Sequence, residues 1–170
     1  MQSLTEAVGR LAHEKRALVI AGSDRFFSAG ADLEEIVALN RPSAHEFAKA
    51  GQELMRAIEV FPATVYAAVS GYCMGGGLDL AFACHRRIAS PDAIFGHRGA
   101  ALGLITGWGG TQRLPRLFGK ARALEMFVAA EKISAARALR MGLVDAISGD
   151  PAAEAVRQTT GTDCSDKITG

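Results

Sequence analysis

Two glycine-rich segments carry the residue types that bind a negatively charged oxygen through backbone N–H groups. They are Ala29–Asp32 and Gly75–Asp79, each lying between an apolar run and the start of a helical pattern. The first N–H groups of a helix lack partners within the helix and carry the positive end of its dipole. Two such groups directed at one point would form an oxyanion hole, in which one donor contributes roughly 3–4 kcal/mol to transition-state stabilisation. The alternative is that each turn is a tight helix start that serves packing alone.

Other chemistries of glycine-rich turns fit these segments less well. The pattern Gly75-x-Gly77 lacks the third glycine of a dinucleotide-binding turn, because Leu80 stands there. A phosphate-loop lysine is absent, and without a Gly-x-Ser-x-Gly elbow serine hydrolysis is not expected. The three cysteines, at positions 73, 84 and 164, have no paired-ligand spacing. We therefore expect neither a disulfide framework nor a metal site.

Composition limits the classes of partner. The 170 residues fit one domain, and 49% of them are hydrophobic, which is enough for a core. A formal net charge of +1 gives no global field that would attract nucleic acid or a membrane. No apolar run approaches the ~20 residues of a membrane span. Because residues 1–16 are polar, with no apolar signal core, we expect a cytoplasmic protein.

Strand and helix patterns alternate along the chain, which predicts an α/β fold. The apolar runs 17–21 and 64–69 predict strands buried on both faces, and two short strands are expected at 87–89 and 93–96. Segment 72–77 is predicted to be neither helix nor strand. Helical periodicity predicts helices at 2–15, 32–39, 42–62, 78–84, 112–118, 121–130 and 134–141. We expect residues 1–150 to form one core domain and residues 151–170 to form a polar, poorly ordered tail.

Four segments, in chain order, resemble the signatures of the crotonase (enoyl-CoA hydratase/isomerase) superfamily. The first is Phe27–Leu33 after its apolar run, and the second extends from Val69 to Ala81. The third, Gly109–Arg116, and the fourth, Ala138–Asp145, follow in the order of the family. The resemblance covers residues 4–148. Because the chain begins almost at the first helix and ends soon after the fourth signature, it is expected to be shortened at both ends.

The resemblance implies a crotonase-like (ClpP/crotonase) spiral of ββα units, usually assembled as a trimer or a dimer of trimers. It implies that Ala31 and Gly76 donate the oxyanion-hole N–H groups. It also implies that Ala29, together with Ala31, Asp32, Leu33 and Gly76, contacts the CoA portion of an acyl-CoA. The CoA thioester is then the substrate, and no separate cofactor is expected.

The catalytic side chains depart from the pattern of the family. Its hydratases use two glutamates, the first of which corresponds to Asp79, a shorter carboxylate, and the second to Gly99, which has none. Asp79 is therefore the expected acid/base group, and the alternative is a first-turn carboxylate that only the helix dipole stabilises. Glycine at the second position also occurs in the naphthoate synthase branch, where an external bicarbonate stands in for the carboxylate. That branch carries an aspartate seven residues later, where this chain has Thr106.

The sequence pattern allows more than one role for several neighbouring side chains. His97 shares the strand parity of the missing second carboxylate and could face the same pocket, but a packed or surface histidine is the favoured interpretation. Tyr72 and Cys73 are expected to fill the core. Trp108 is expected to be a wall of the acyl pocket or part of the core, and Asp32 a first-turn cap.

The resemblance and the two turns together predict an acyl-CoA-binding enzyme that stabilises a thioester enolate, of the enoyl-CoA hydratase/isomerase type. One alternative is a decarboxylase, or other enolate chemistry that needs no second carboxylate. Another is an inactive acyl-CoA-binding or scaffold protein. The expected partners are a small-molecule acyl-CoA and further copies of the chain, as a homotrimer or homohexamer.

Overall fold

Pairs of strands followed by helices recur along the chain in the computed structural model, which describes residues 2–162. The strands are β1 (Leu18–Ala21), β2 (Phe26–Ser28), β3 (Val65–Val69), β4 (Tyr72–Met74), β5 (Arg86–Ala89), β6 (Ile94–Gly96), β7 (Ile133–Ser134) and β8 (Ala146–Ile147). The helices are α1 (Gln2–Leu11), α2 (Leu33–Val37), α3 (Arg41–Glu59), α4 (Gly76–Ala83), α5 (Gly110–Phe118), α6 (Lys120–Ala129), α7 (Ala135–Met141) and α8 (Pro151–Thr162).

The two strands of each pair enter different sheets. One sheet has the order β1-β3-β5-β8 and is parallel throughout. The other has the order β2-β4-β6-β7, in which β7 is antiparallel to β6 and the other neighbours are parallel. Successive units therefore stack along two sheets, which confirms the predicted spiral of ββα units.

The core lies around β3 and α4. All five residues of β3 are buried, as the apolar run predicts, since β3 pairs on both sides with β1 and β5. The same prediction for residues 17–21 is wrong, because β1 is the edge strand of its sheet and is only half-buried. Helix α4 packs against β2, β4, α3 and α5, so its apolar residues are buried nearly all round.

Segment 72–77 differs from its prediction. Residues 72–74 form strand β4, because their backbone pairs with β2 on one side and β6 on the other. The glycines and the cysteine of segment 72–77 gave no strand pattern in the sequence. The strand forms because it pairs with β2 and β6. Strands β7 and β8 have two residues each, which is too short for any periodicity to be detected.

The predicted poorly ordered tail is wrong over residues 151–162, which form α8. A carboxylate oxygen of Asp150 accepts from the Ala153 N–H at 2.9 Å, so the helix start is capped. Ala155 is fully buried against Tyr66 and Ile88, on the sheet that contains β3 and β5. Helix α8 therefore packs on the core domain that was predicted to end at residue 150. Residues 163–170 lie outside the described chain.

Two buried cysteines lie beside α4. The Cys73 thiol donates to the Gly77 carbonyl at 3.5 Å, and the Cys84 thiol donates to the Leu80 carbonyl at 3.3 Å. Burial raises the pKa of Cys84 from 9.0 to about 12. Burial, followed by the nearby Cys84 and Asp79, raises the pKa of Cys73 well above its ordinary value. Both thiols therefore stay protonated in the folded protein at pH values where free thiols ionise.

These pKa shifts predict a loss of stability at alkaline pH. Above pH 9 the unfolded chain releases thiol protons that the folded chain keeps, so the free energy of unfolding falls as pH rises towards 12. The slope is at most about 1.4 kcal/mol per pH unit for each thiol. Urea unfolding between pH 8 and pH 11 should show a shallower fall in Cys84→Ala than in the parent, and equal slopes would contradict the assignment.

Candidate active site

A cleft of about 380 Å³ opens where the two glycine-rich turns meet. Its walls come from both turns, from α3 and from the loop that connects β6 to α5, and most of the lining side chains are apolar. Four of the five residues predicted to contact CoA line this cleft, namely Ala29, Ala31, Leu33 and Gly76. Such a concave apolar site with few polar groups is the usual form of a small-molecule site.

The backbones of the two turns are in contact. Gly30 has a φ of +97°, and a Cβ atom there would lie 2.9 Å from the Gly76 nitrogen and 2.9 Å from the Met74 carbonyl oxygen. Glycine is required at this point by both conformation and space. The next residue, Ala31, lies on the cleft wall beside Gly76. Within residues 2–162, neither the Ala31 N–H nor the Gly76 N–H is paired with a backbone or side-chain acceptor. Two residues that line the cleft thus have backbone N–H groups without an acceptor in the described chain.

Asp32 is the exception among the predicted CoA contacts, because it does not line the cleft. Its side chain accepts from the Glu34 N–H at 2.9 Å and caps α2. The first-turn cap predicted for this residue is confirmed. Its contact with CoA stays a prediction.

Asp79 lies in the first turn of α4, with only 1% of its surface exposed, and lines the cleft. Its Oδ1 atom is 3.0 Å from His97 Nε2, and its Oδ2 atom accepts from the Thr106 hydroxyl. A buried carboxylate is costly unless it is hydrogen-bonded, and here both oxygens have partners. The side chains of residues 79, 97 and 106, which come from three different segments, thus form one polar cluster in an otherwise apolar cleft.

His97 is the functional candidate that sequence reasoning undervalued. The favoured interpretation of a packed histidine is confirmed, since the side chain is buried against Phe127. The less favoured possibility, that it faces the pocket, is confirmed as well, because the ring lines the cleft and contacts Asp79. Its strand parity was the available signal. The signal for Thr106 was its correspondence to the aspartate of the naphthoate synthase branch, but its contact with Asp79 depends on the path of an irregular loop.

Gly99 lies in a 3-10 turn (Gly99–Leu102) and lines the cleft without offering a functional group. A Cβ atom at this position would lie 2.8 Å from the Leu104 carbonyl oxygen, so the loop is folded too tightly for a side chain here. Within the described chain, Asp79 is the one acidic residue that lines the cleft. A second carboxylate is therefore missing in space as well as in sequence.

Gly110 gives the polar cluster its room. A Cβ atom there would overlap Asp79 Oδ1 and lie 3.2 Å from His97 Nε2. Because Gly110 is also the first residue of α5, the positive end of that helix lies close to the carboxylate. The side-chain-free start of α5 thus permits the contact between Asp79 and His97.

Trp108 forms a wall of the cleft and belongs to the core, as predicted, with 8% of its surface exposed. The ring packs on Phe47 with a centroid distance of 5.3 Å. Of the two residues expected to fill the core, Cys73 is buried, but Tyr72 is 39% exposed and packs against Phe26 at the surface. The Tyr72 prediction is wrong, because the side chains of β4 alternate and Cys73 occupies the inward position.

Sequence comparison identifies the family. The model of the enoyl-CoA hydratase/isomerase family matches residues 1–162, and the chain belongs to this family. A protein from Bacillus subtilis (strain 168), named as a probable enoyl-CoA hydratase, is 48% identical over 138 residues, which are 81% of this chain and 54% of that protein. A protein named crotonyl-CoA hydratase, from Syntrophomonas wolfei subsp. wolfei, is 44% identical over 131 residues, which are 76% of this chain and 50% of that protein.

Solved structures agree with the fold. A structure of DspI from Pseudomonas aeruginosa has a TM-score of 0.89 at 36% identity, over 94% of this chain and 63% of that one. An enoyl-CoA hydratase from Bacillus anthracis has a TM-score of 0.87 at 31% identity, over 96% of this chain and 67% of that one. The chain spans about half the length of the curated relatives that it matches. Within residues 2–162, no helix is long and apolar enough to cross a membrane.

The contact between Gly51 of α3 and Trp108 gives a test of the cleft wall. A Cβ atom at Gly51 would overlap the indole ring, so Gly51→Ala must displace it. Overpacking of this kind costs about 1–3 kcal/mol, more than the ~1 kcal/mol that alanine gains over glycine within a helix. We expect a net fall in the free energy of unfolding and a change in the fluorescence of the protein's single tryptophan.

Gly9→Ala is the matched control for this test. Gly9 lies in α1, and nothing within 4 Å would meet its Cβ atom. We expect the helical preference of alanine to raise the free energy of unfolding by about 0.5–1 kcal/mol, with unchanged fluorescence of the folded state. Urea titration followed by tryptophan emission measures both variants, and a stable Gly51→Ala with parental emission would contradict the packing described here.

Proposed function

We propose that the cleft binds the thioester group of an acyl-CoA and stabilises its enolate. The observation that carries this proposal is the pair of unpaired N–H groups, of Ala31 and Gly76, on two turns held in backbone contact. When the α-carbon of a thioester gains a pair of electrons, the carbonyl oxygen becomes negative. Two fixed donors then stabilise the enolate more strongly than the starting thioester, which lowers the barrier.

For an enoyl-CoA substrate, the proposed reaction is the addition of water. The water oxygen bonds to the β-carbon, the electrons of the double bond move onto the thioester, and the enolate forms. One water proton leaves the oxygen and another proton is delivered to the α-carbon, so the product contains one added water. We assign these proton transfers to the polar cluster around Asp79, because it is the ionisable cluster on the cleft wall in the described chain. Relatives named as hydratases support this reaction.

The single carboxylate favours one second candidate, the decarboxylation of a malonyl-type CoA. In that reaction the bond between the α-carbon and the carboxylate breaks, carbon dioxide leaves, and its electron pair forms the same enolate. Only one proton then has to reach the α-carbon. Gly99, where a second carboxylate would stand, is no handicap for this chemistry.

The finer expectations from the sequence stay predictions. They are the role of each site residue, the contact of CoA with Ala29, Asp32 and Leu33, and the use of a CoA thioester without a further cofactor. The homotrimer or homohexamer and the cytoplasmic location also stay predictions. Among residues 2–162, no group of three or more His, Cys, Asp or Glu side chains could hold a metal ion.

Product analysis of crotonyl-CoA and malonyl-CoA incubations by mass spectrometry tests the proposal. We expect a product heavier by one water from crotonyl-CoA. In Asp79→Asn this turnover should fall about 100-fold or more, because the amide neither orients nor exchanges a proton as the carboxylate does. Calorimetry should show that the variant still binds butyryl-CoA, since the two N–H donors are unchanged.

Each other outcome has a distinct meaning. Loss of carbon dioxide from malonyl-CoA without hydration of crotonyl-CoA would favour the second candidate. Tight thioester binding with no reaction would identify a binding protein. Failure of the parent protein to bind any CoA ester would overturn the proposal, and unchanged turnover in Asp79→Asn would remove the carboxylate from it.

A further inference from the structure

The geometry points to His97 Nδ1 as the atom that carries the proton in this cleft, in place of the carboxylate that is missing at Gly99. The inference rests on the proposed function and assigns its proton transfers to one side chain. Three observations carry it, namely the engagement of both Asp79 oxygens, the position of the imidazole, and the space left by Gly110.

Asp79 is engaged in a way that suits an orienting group better than a direct base. Its Oδ2 atom accepts from the Thr106 hydroxyl, and its Oδ1 atom lies 3.0 Å from His97 Nε2. Only 1% of its surface is exposed. A deprotonated carboxylate is an acceptor only, so the hydrogen of this contact belongs to Nε2. When the imidazole is neutral, this contact selects the tautomer that has its lone pair on Nδ1.

The imidazole is placed for the proton-carrying role. The ring lines the cleft and is held from one side by Phe127, with a centroid distance of 5.3 Å. No hydrogen bond joins Nδ1 to any atom of residues 2–162. A base that is hydrogen-bonded to a third, orienting group is the usual arrangement of an activated pair. Here Asp79 orients the ring, Thr106 fixes Asp79, and Nδ1 is the ring nitrogen of His97 that has no hydrogen-bond partner in the described chain.

The glycine at the start of α5 supports this arrangement independently. A Cβ atom at Gly110 would overlap Asp79 Oδ1 and lie 3.2 Å from His97 Nε2. Any side chain there would intrude on the hydrogen bond between the two residues. The helix begins with the residue type that leaves this bond intact.

One imidazole balances the protons of the hydration. As the water oxygen bonds to the β-carbon, one water proton moves to neutral His97 Nδ1, and the thioester becomes an enolate facing the Ala31 and Gly76 N–H groups. The imidazolium then delivers that proton to the α-carbon, the enolate electrons form the new C–H bond, and His97 returns to its neutral form. The second water proton stays on the new hydroxyl group. No second carboxylate is needed.

The test compares His97→Gln with the parent protein. Glutamine can still donate a hydrogen bond to Asp79 but has no basic nitrogen. Calorimetry with butyryl-CoA comes first. We expect affinity within about twofold of the parent, because the substitution leaves the contacts that hold the bound thioester in its ground state unchanged. Exchange of the α-protons of butyryl-CoA in deuterated water and hydration of crotonyl-CoA should both fall about 10²–10⁴-fold.

His97→Ala allows a second measurement, rescue by added imidazole, which a purely structural role of His97 would not produce. Truncation leaves a space of imidazole size, and added imidazole should restore part of the α-proton exchange in proportion to its concentration. His13→Gln, which changes an exposed histidine, is the matched control and should exchange like the parent. Circular dichroism shows whether each variant folds. If His97→Ala does not fold, the exchange and hydration rates of His97→Gln decide the test.

Outcomes that overturn the inference differ from those that overturn the proposed function. If the parent binds butyryl-CoA and hydrates crotonyl-CoA while His97→Gln retains turnover within about threefold, the proposed function stands and His97 is not the proton carrier. A large loss in both variants with no rescue by imidazole also rejects the proton-carrying role. A parent protein that binds no CoA ester rejects both proposals together.

Discussion

The close approach of two backbone turns, at Gly30 and Gly76, is the constraint on which the site depends. The parallel pairing of β2 with β4 places the ends of both strands at one edge of a sheet, and each strand leads directly into a turn there. Gly30 lets the turns touch, since its positive φ and the contact with Met74 and Gly76 exclude a side chain. The resulting donors are main-chain groups, so they persist whatever side chains line the rest of the cleft.

The polar cluster of Asp79, His97 and Thr106 lies in the cleft that the two turns form. A buried carboxylate needs partners, and Asp79 draws one from the end of β6 and one from the loop beyond it. The start of α5 adds the positive end of a helix dipole. The cluster therefore couples α4, β6, the loop and α5, and a change in any of them alters the surroundings of the same carboxylate.

The sequence revealed the features that depend on local pattern. Buried strand β3, the helices from α3 to α7 and the two turns all follow from apolar runs, helical spacing and glycine placement. Features that depend on distant neighbours were missed. Strand β4 exists because two other strands flank it, and α8 is ordered because Ala155 finds a place on the sheet. The spacing of residues within one segment does not predict its contacts with another segment.

The same division holds within the site. The positions of Ala31 and Gly76 on the cleft wall were predictable, since glycine-rich turns between a strand and a helix are recognisable in the sequence. Asp79 was predictable from its place in a signature. The partnership of Asp79 with His97 and Thr106 was not, because it joins a helix to an irregular loop whose path is set by packing. Strand parity along β6 indicated that His97 could face the pocket. That its partner there is Asp79 is visible only in the fold.

The alternation of strands between two sheets has a kinetic consequence. Strand β1 pairs with β3 and β2 pairs with β4, so every contact in these pairs spans a whole unit of the chain, including the long helix α3. Chains dominated by such non-local pairings fold slowly, because loop-closure entropy is lost before the pairing can compensate for it. The cleft has no precursor within either unit alone. Because residues of both units line it, the cleft forms only when the second unit docks on the first and is lost when the units separate.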